Sequence, residues 1–435
     1  MTLLVLVAVA VGVLLPAVGA ESPYTTLSPK SSQADDIQWL YKLVFFLALI
    51  VFVGVQIAIV YTVLRYRRRA NDERPEQLHG NKTLEVIWTI IPAIVLLAIF
   101  IPTVRTIYAH ADEVEEGNFT VQVYAKQWWW EVHYTDDTGE AAGVITANDI
   151  VVPQGKKVVF ELFSNNVIHS FWVPQLSGKL DVMPGHENKL PIDTDNVGLY
   201  FGQCAEFCGD SHALMRFKVI VQPQDVFDQW AAGWKAGPSE ASQAFVPDGD
   251  LTKVPAAFGL CLACHQVEGT NATIAPEGLE EEPLTDTGEM GPAKYAGPNL
   301  TLMGCRTTIA AGVLPNTPEN MAKWLDDPGA IKPGVYMGEV IEDGTLDDAQ
   351  IQELVDYLES LKPAEGCPEI PVQPGVTEQV TPSNPQSVRS RKTRRVRARA
   401  REQNQESGAE SWRRSLNHIA WRSQSPSRIP VYGVG

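Results

Sequence analysis

The sequence predicts a multidomain protein built from a two-helix transmembrane hairpin, an antiparallel β-sandwich and an all-α domain, in that order. Three observations predict it: two long uncharged apolar runs in the first 110 residues, short strand-like segments between turn residues over 118–221, and an amphipathic helical pattern over 347–361. Hydrophobic residues make up 45% of the 435 residues, which excludes a collagen-like or wholly disordered chain. The formal net charge of -17 argues against nucleic acid as a partner, because phosphate binding needs Lys and Arg.

The first element, residues 1–20, is predicted to be a signal peptide. The apolar run Thr2–Gly19 is followed by Ala20, and Val18 and Ala20 are small residues at the two positions that a signal peptidase reads. No Lys or Arg precedes the run, which is atypical of a signal peptide. An uncleaved anchor is the alternative.

The second element, residues 35–110, is predicted to be the transmembrane hairpin, with helices at about 40–64 and 86–107. Leu43–Leu64 and Val86–Val104 are 22 and 19 residues long and contain no formal charge. About 20 residues span the hydrocarbon core of a bilayer, so each run is long enough. Buried helices of a soluble protein are the alternative.

The charges around the hairpin predict its orientation. Acidic residues flank it on the outside, whereas the loop between the helices is basic, and Lys and Arg favour the cytoplasmic side of a membrane. We therefore expect a multi-pass protein of the cell (cytoplasmic) membrane, with residues from about 110 onward on the extracytoplasmic side, where disulfides form. The basic residues of the loop are Arg65, Arg67, Arg68, Arg69, Arg74 and Lys82.

The third element, residues 111–222, is predicted to be the β-sandwich, because many short strands at this spacing are typical of one. The expected strands are Phe119–Tyr124, Gln127–Tyr134, Lys157–Ser164, Asn188–Ile192, Leu199–Gln203 and Leu214–Val221.

Five residues of the β region are candidate metal ligands. Cys204, Cys208, His212 and Met215 lie within twelve residues, and His169 lies upstream. Thiolate, imidazole and thioether form a soft ligand set that suits copper, whereas a zinc site more often has two Cys-x-x-Cys pairs and no Met. Two thiolates can bridge two copper ions and share one electron between them, as an electron relay requires. A disulfide between the two cysteines, next to a histidine that binds no metal, is the alternative.

The linker 223–250, with a short amphipathic helix around Trp230 and Trp234, precedes the all-α domain, which is expected over 251–362.

The all-α domain begins with the motif Cys261-Leu-Ala-Cys264-His265. The pattern C-x-x-C-H marks covalent attachment of a c-type haem, with the two thiols joined to the vinyl groups and the His bound to iron. A thioredoxin-like redox pair is the alternative, but it lacks the following His.

A haem that only transfers electrons needs a sixth ligand to its iron, and four methionines lie downstream of the motif. They are Met290, Met303, Met321 and Met337. Met337 lies in a loop before the expected helix Asp347–Leu361.

Residues 35–235 resemble subunit II of the haem–copper cytochrome c oxidases, on the copper motif and the run Gly80–Ala93. The resemblance implies a cupredoxin-like sandwich that holds a binuclear copper centre, CuA. It also implies that the Glu206 side chain reaches a magnesium ion at the interface with subunit I. The implied CuA ligands are His169, Cys204, Cys208, His212, Met215 and the backbone carbonyl of Glu206.

The same resemblance assigns two further roles. Glu85 matches a carboxylate at the entrance of a proton pathway. Trp128 matches the residue through which external cytochrome c delivers its electron, although packing is the alternative for any ring in the triplet Trp128–Trp130. The sequence departs from the family at His186, where Arg is common.

Residues 254–362 are similar to class I cytochromes c, on the haem motif, the Gly297–Leu300 loop, the methionine loop and the closing helix. This similarity implies that His265 and Met337 are the axial haem ligands, and Met303 is the alternative to Met337.

The remaining segments carry weaker expectations. Cys305 and Cys367 are expected to form a disulfide, with two free thiols as the alternative. The acidic loop 268–292 is expected to be a solvated loop. The Arg-rich tail 363–435 is expected to be disordered, with contact to anionic lipid as the alternative.

Together these resemblances predict the subunit through which electrons enter a proton-pumping aerobic terminal oxidase. Electrons are expected to come from cytochrome c or a quinol–cytochrome c reductase and to pass through haem c and CuA to subunit I, with subunit III as a further partner. Two alternatives stay open: the corresponding subunit of a CuA-containing nitric oxide reductase, and a membrane-anchored electron-transfer protein without a catalytic partner.

Overall fold

A computed structural model describes residues 23–67, 80–111, 118–164, 166–239, 254–262, 264–267 and 297–370. All of them belong to one compact unit, Met1–Val380. The regions with sequence predictions that lie outside the described residues are the signal peptide, most of the basic inner loop, the end of the linker, the acidic loop with Met290, and the tail from residue 371.

Two long helices form the hairpin, α1 (Ser32–Arg65) and α2 (Lys82–Ala111), and both are long and apolar enough to cross a membrane. Helix α1 begins about eight residues before the expected helix start at residue 40, because its start is capped and anchored. The Ser31 side chain accepts a hydrogen bond from the backbone N–H of Ala34 and donates one to the β domain. Two prolines, Pro92 and Pro102, lie inside α2.

The β domain consists of two five-stranded sheets, with strand orders β3-β2-β1-β5-β8 and β4-β10-β9-β6-β7. Aromatic and β-branched side chains of the two inner faces form one core. The strands are β1 (Phe119–Lys126), β2 (Trp129–Tyr134), β3 (Ile145–Ala147), β4 (Asp149–Pro153), β5 (Lys157–Ser164), β6 (His169–Trp172), β7 (Leu180–Val182), β8 (Asn188–Asp193), β9 (Gly198–Cys204) and β10 (Arg216–Gln222).

The predicted sandwich is confirmed, but its sheets are mixed rather than purely antiparallel. Strands β1 and β5 pair in parallel, as do β10 and β4, and the other pairs in the two described sheets are antiparallel. A parallel pair needs a long crossover connection, and intervening strands supply it in both cases. The alternation of buried residues was visible in the sequence, whereas strand direction was not.

Helix α3 (Gln224–Ala236) follows the sandwich and packs back on it. Its buried residues Phe227, Ala231 and Trp234 join the core of the β domain. The amphipathic stretch of the predicted linker therefore closes the end of the sandwich.

The C-terminal domain is helical, as predicted, with one small hairpin. Asp347 caps the last helix in a capping box with Gln350, so the helix starts one residue after the expected Asp347. The elements are β11 (Thr308–Ile309), β12 (Leu314–Pro315), α4 (Pro318–Asp326), α5 (Pro328–Ile331), α6 (Met337–Val340) and α7 (Asp348–Ser360), with single 3₁₀ turns at Ala256–Leu260 and Met303–Cys305.

A disulfide joins Cys305 to Cys367, with Cα atoms 5.3 Å apart, which confirms the predicted pairing. The bond ties the chain that follows α7 back to the 3₁₀ turn Met303–Cys305.

Candidate copper and haem sites

Five side chains of the β domain converge on one site. The Cys204 Sγ lies 3.8 Å from Nδ1 of His169 and 3.8 Å from the Cys208 Sγ. The Cys208 Sγ lies 3.6 Å from Nδ1 of His212 and 3.9 Å from Sδ of Met215. The two thiols thus form the centre of the cluster, with one imidazole on each side.

The sheet brings the upstream histidine to the cysteine loop. Strand β6 begins at His169 and pairs with β9, which ends at Cys204, so that Phe171 lies opposite Cys204. The chain then turns through the 3₁₀ turn His212–Leu214, and Met215 closes the loop, its carbonyl accepting from the Cys204 N–H at 2.9 Å.

Hydrogen bonds orient the donors before any metal binds. Nε2 of the buried His169 lies 3.0 Å from Oδ1 of Asn166, which leaves Nδ1 facing Cys204. The hydrogen bond from the Cys208 thiol holds the pKa of the Cys204 thiol well below its usual range. The carbonyl of Glu206 lies 3.3 Å from the Cys204 Sγ. The lowered pKa favours the thiolate form of Cys204, and the Glu206 carbonyl oxygen lies beside it.

This donor set fits a copper centre, which the two thiolates, the two imidazoles and the thioether would hold. Thiolate, imidazole and thioether donors are the soft ligands that copper selects, and the thiolate form is the one that binds metal. Within the described part of the chain, His169, Cys204 and Cys208 form the group of His, Cys and acidic side chains close enough to share a metal ion.

The haem motif lines a pocket in the C-terminal domain. Cys261, Cys264 and His265 all face it. Nδ1 of His265 donates to the Pro298 carbonyl at 2.7 Å, which leaves Nε2 to bind iron. Burial lowers the pKa of His265, which favours the neutral imidazole. A Cβ at Gly297 would lie 2.5 Å from Cε1 of His265, so only glycine fits beside the ring.

Three of the four candidate methionines line the same pocket: Met303, Met321 and Met337. Met303 and Met321 are at most 8% exposed and pack into the domain core, whereas Met337 is half-buried. The Met337 side chain is therefore packed less tightly than those of Met303 and Met321, and Met337 stays the predicted sixth ligand.

Three family models match the chain. "Cytochrome C oxidase subunit II, transmembrane domain" matches residues 26–106, "Cytochrome C oxidase subunit II, periplasmic domain" matches 137–223, and "Cytochrome c" matches 253–362. Among solved structures, the periplasmic domain of subunit II of cytochrome oxidase from Bradyrhizobium japonicum is 27% identical, and the match covers 27% of this chain and 94% of that one at a TM-score of 0.26.

Two curated relatives match over most of their length. Cytochrome c oxidase subunit 2 of a Bacillus species (strain PS3) is 38% identical over 68% of this chain and 80% of that protein. Cytochrome c oxidase subunit 2 of Alkalihalophilus pseudofirmus is 35% identical over 79% of this chain and 92% of that protein. The chain belongs to the cytochrome c oxidase subunit II family.

Membership of the subunit II family has three consequences. The β domain is of the type that holds CuA copper, and the C-terminal domain is of the cytochrome c type that holds haem c. The protein is membrane-anchored through its N-terminal hairpin. As a subunit II, it associates with a haem–copper subunit I in a terminal oxidase complex.

In this subunit II, the haem domain covers Trp128. The ring is 8% exposed and lines the haem pocket, although the sequence resemblance assigned it to contact with an external cytochrome c. Its Nε1–H donates to the carbonyl of Cys208 at 2.9 Å, and a Cβ at Gly334 of the methionine loop would lie 2.8 Å from the ring. Trp128 therefore contacts both the copper loop and the haem domain.

The other two rings of the triplet pack. Trp130 is fully buried between Phe171 and Phe217 in the core of the sandwich. Trp129 forms a small cluster with Ala147 and Ala311, one from each domain. The packing alternative accounts for Trp130.

Three other predicted positions lie at the surface. Glu85 is in the first turn of α2, the Glu206 side chain points outward from the copper loop, and His186 is exposed. None of these three side chains takes part in the copper cluster or the haem pocket.

Sequence reasoning missed the polar contacts that dock the two domains. Ser211 Oγ donates to the Pro333 carbonyl at 2.6 Å, and the Lys332 ammonium donates to the Trp128 carbonyl. The Arg306 guanidinium donates to the Ala147 carbonyl. Burial lowers the pKa of Lys332 to about 7. The sequence marks Arg306 only as a cation following Cys305, and Lys332 only as a cation shortly before Met337.

Proposed function

We propose that this chain is the subunit through which electrons enter a proton-pumping aerobic terminal oxidase, in which subunit I reduces O2 to water. One observation supports it above the others. Trp128 lines the pocket of the haem motif and also donates a hydrogen bond to Cys208, so a single side chain touches both candidate redox sites.

The proposed ligands follow from the two clusters. Haem c would be attached through Cys261 and Cys264, and His265 and Met337 would bind its iron. When bound, haem c and the copper pair supply the one-electron carriers between the donor and subunit I. The CuA ligands are His169, Cys204, Cys208, His212, Met215 and the carbonyl of Glu206.

The residues between the two sites fix the proposed electron path and exclude water from it. Gln127 and Trp128 both donate to the Cys208 carbonyl, at 2.7 Å and 2.9 Å, and fix the loop that carries the central thiol. The haem domain excludes water from the indole, which is buried. The Trp128 indole, hydrogen-bonded to the backbone carbonyl of Cys208, would thus lie between a haem in this pocket and the copper loop.

The remaining assignments concern the complex. The copper and haem domains lie on the extracytoplasmic side of the membrane, Glu85 lies at the entrance of a proton pathway, and the Glu206 carboxylate reaches a magnesium ion at the subunit I interface. Subunit III is a further partner. The donor is a cytochrome c or a quinol–cytochrome c reductase.

Replacement of Trp128 in the intact oxidase tests the path. We expect Trp128→Leu to slow electron transfer from haem c to copper at least tenfold, measured by time-resolved absorbance after photoreduction of the haem, with copper and haem contents unchanged. Trp129→Phe is the matched control and should stay within twofold. Equal rates in Trp128→Leu and wild type would exclude this path.

The identity of the complex is tested separately. We expect the chain to co-purify with a large haem-bearing subunit and the complex to consume O2. A complex that consumes nitric oxide but no O2 would be a reductase, and a chain that purifies alone with both sites filled would be a free electron carrier.

A further inference from the structure

The β11–β12 hairpin of the haem domain lies against the first residue of β10, next to a proposed copper ligand. The N–H of Arg216, which begins β10, donates to the carbonyl of Ala311 in the hairpin turn at 3.1 Å. Arg216 directly follows Met215 in the chain. A backbone hydrogen bond between the two domains therefore lies one residue from the proposed thioether ligand.

The peptide group that joins Met215 to Arg216 is held on both sides. Its carbonyl, which belongs to Met215, accepts a hydrogen bond from the N–H of Cys204 at 2.9 Å, and its N–H, which belongs to Arg216, donates to Ala311. A peptide group is planar and rigid, so the two bonds together fix its position and orientation. Met215 itself is fully buried, and its Sδ lies 3.9 Å from the Cys208 Sγ. The placement of the thioether thus depends on a contact with the haem domain.

Two further contacts hold the hairpin against the β domain. Ala311 packs with Trp129 and Ala147 in a small buried cluster. The buried Lys218 of β10 donates from its ammonium to Oγ1 of Thr307, directly before the hairpin, at 2.5 Å. The hairpin therefore has an apolar contact and a side-chain hydrogen bond with the β domain in addition to the backbone bond.

The hairpin turn adopts a backbone conformation that is unfavourable for two of its residues. Ala310, Ala311 and Gly312 have φ values of +54°, +57° and +75°. Glycine enters this left-handed region without a steric cost, whereas the Cβ of alanine approaches a carbonyl oxygen there. Such strain persists where the surrounding structure fixes it, and it clusters at functional positions. One of the strained residues is the one whose carbonyl accepts from Arg216.

We infer that Ala311 of the haem domain is a positioning residue for the copper centre. Through the Met215–Arg216 peptide it fixes the distance of the Met215 thioether from the copper, and a weak ligand of this kind tunes the reduction potential of a copper site. The haem domain therefore sets a property of the copper centre in addition to carrying a haem of its own. The inference rests on the proposed copper centre with Met215 as a ligand.

Replacement of Gly312 by alanine in the full oxidase complex tests the inference. A Cβ at this position would lie 3.0 Å from the Cβ of Arg216, so the contact moves the hairpin and β10 apart by a few tenths of an ångström. A thioether held less closely stabilises the oxidised, more positive copper centre less. We therefore expect the ratio of oxidised to reduced centre at a fixed potential to fall about threefold. We also expect a changed copper hyperfine pattern in electron paramagnetic resonance, with the copper content unchanged.

Gly344→Ala is the matched control for this test. Gly344 lies in the same domain and has a left-handed φ of +86°, but no described heavy atom lies within 4 Å of a Cβ there. The substitution should leave the potential and the hyperfine pattern as in the wild type. An unchanged potential and hyperfine pattern in Gly312→Ala, or equal changes in both variants, would overturn the inference.

A measurement on the wild type covers the case in which Gly312→Ala does not assemble. Hydrogen–deuterium exchange resolved to single residues should show a slowly exchanging Arg216 amide, because its N–H is bonded to the Ala311 carbonyl. An Arg216 amide that exchanges as fast as an unbonded one would overturn the inference. The proposed function fails by a different result, the absence of a near-infrared copper band from the wild-type complex.

Discussion

The ammonium of Lys332 donates a hydrogen bond to the backbone carbonyl of Trp128, 204 residues away in the chain. The bond joins the segment that leads to Met337 with the turn between β1 and β2. The indole of Trp128 in turn donates to the Cys208 carbonyl. Two consecutive hydrogen bonds thus connect the haem domain, through Trp128, to a proposed copper ligand.

Gly334 determines how closely the methionine loop approaches Trp128. Its φ is +82°, and a Cβ there would lie 2.8 Å from the indole. We expect Gly334→Ala to push the loop off the ring and to slow electron transfer from haem c to copper at least tenfold, measured by time-resolved absorbance of the intact oxidase.

Gly344→Ala is a close control for this prediction. Gly344 has a φ of +86° but no heavy atom within 4 Å of a Cβ, so the substitution carries the backbone strain without the contact. Equal slowing in both variants would show that strain in the domain, rather than the approach to Trp128, limits the rate.

Gly297 determines the orientation of the proposed proximal ligand. A Cβ at this position would lie 2.5 Å from the His265 ring. We expect Gly297→Ala to displace the imidazole and to convert most of the haem to a high-spin form, measured by electron paramagnetic resonance. Gly259→Ala, in the 3₁₀ turn before Cys261, has open space around its Cβ and should keep the low-spin spectrum.

The copper cluster was predictable because its chemistry is local. Four of the five side chains lie between Cys204 and Met215, and a loop this short keeps their ligand atoms close together. His169 was found only because the residue type suited the set and the family resemblance included it. Its place beside Cys204 comes from the pairing of β6 with β9, which no residue pattern encodes.

The docking of the two domains was not predictable. Lys332 and Trp128 lie in segments that share no sequence periodicity. The acceptor of their hydrogen bond is a backbone carbonyl, which every residue has, so no residue type marks the contact. The expectation that Trp128 faces an external protein treated the β domain as if it stood alone. The fused haem domain occupies that surface instead.

The two candidate sixth ligands can be separated by parallel substitutions. We expect Met337→Leu to remove the low-spin signal and to lower the haem potential, because a methionine ligand raises it. Met303→Leu conserves volume in the core and should cost less than about 1.5 kcal/mol of stability while leaving the spectrum unchanged. The reverse pattern, with spectral loss in Met303→Leu alone, would assign the ligand to Met303.

A buried charge cluster in the β domain predicts its acid stability. The Glu131 carboxylate accepts from Lys126 and from Nε2 of His133, the latter at 2.7 Å, and it is 5% exposed. Burial alone would raise the pKa of Glu131, but the hydrogen bond from His133 and the charge of Lys126 outweigh it and lower the pKa below its usual value of 4.5.

Because the folded-state pKa is lowered, the stabilisation from Glu131 is fully present above about pH 4.5 and is lost as the pH falls through the folded-state pKa. We expect Glu131→Gln to cost about 3–5 kcal/mol at pH 7, since the Lys126 ammonium stays buried without this carboxylate. Glu161→Gln, which breaks a half-exposed pair with Lys189, should cost about 0.2–1 kcal/mol. Thermal unfolding of the intact protein between pH 3 and 7 measures both effects. If the unfolding temperature of Glu131→Gln fell with decreasing pH as steeply as that of the wild type, the acid sensitivity would belong to other groups.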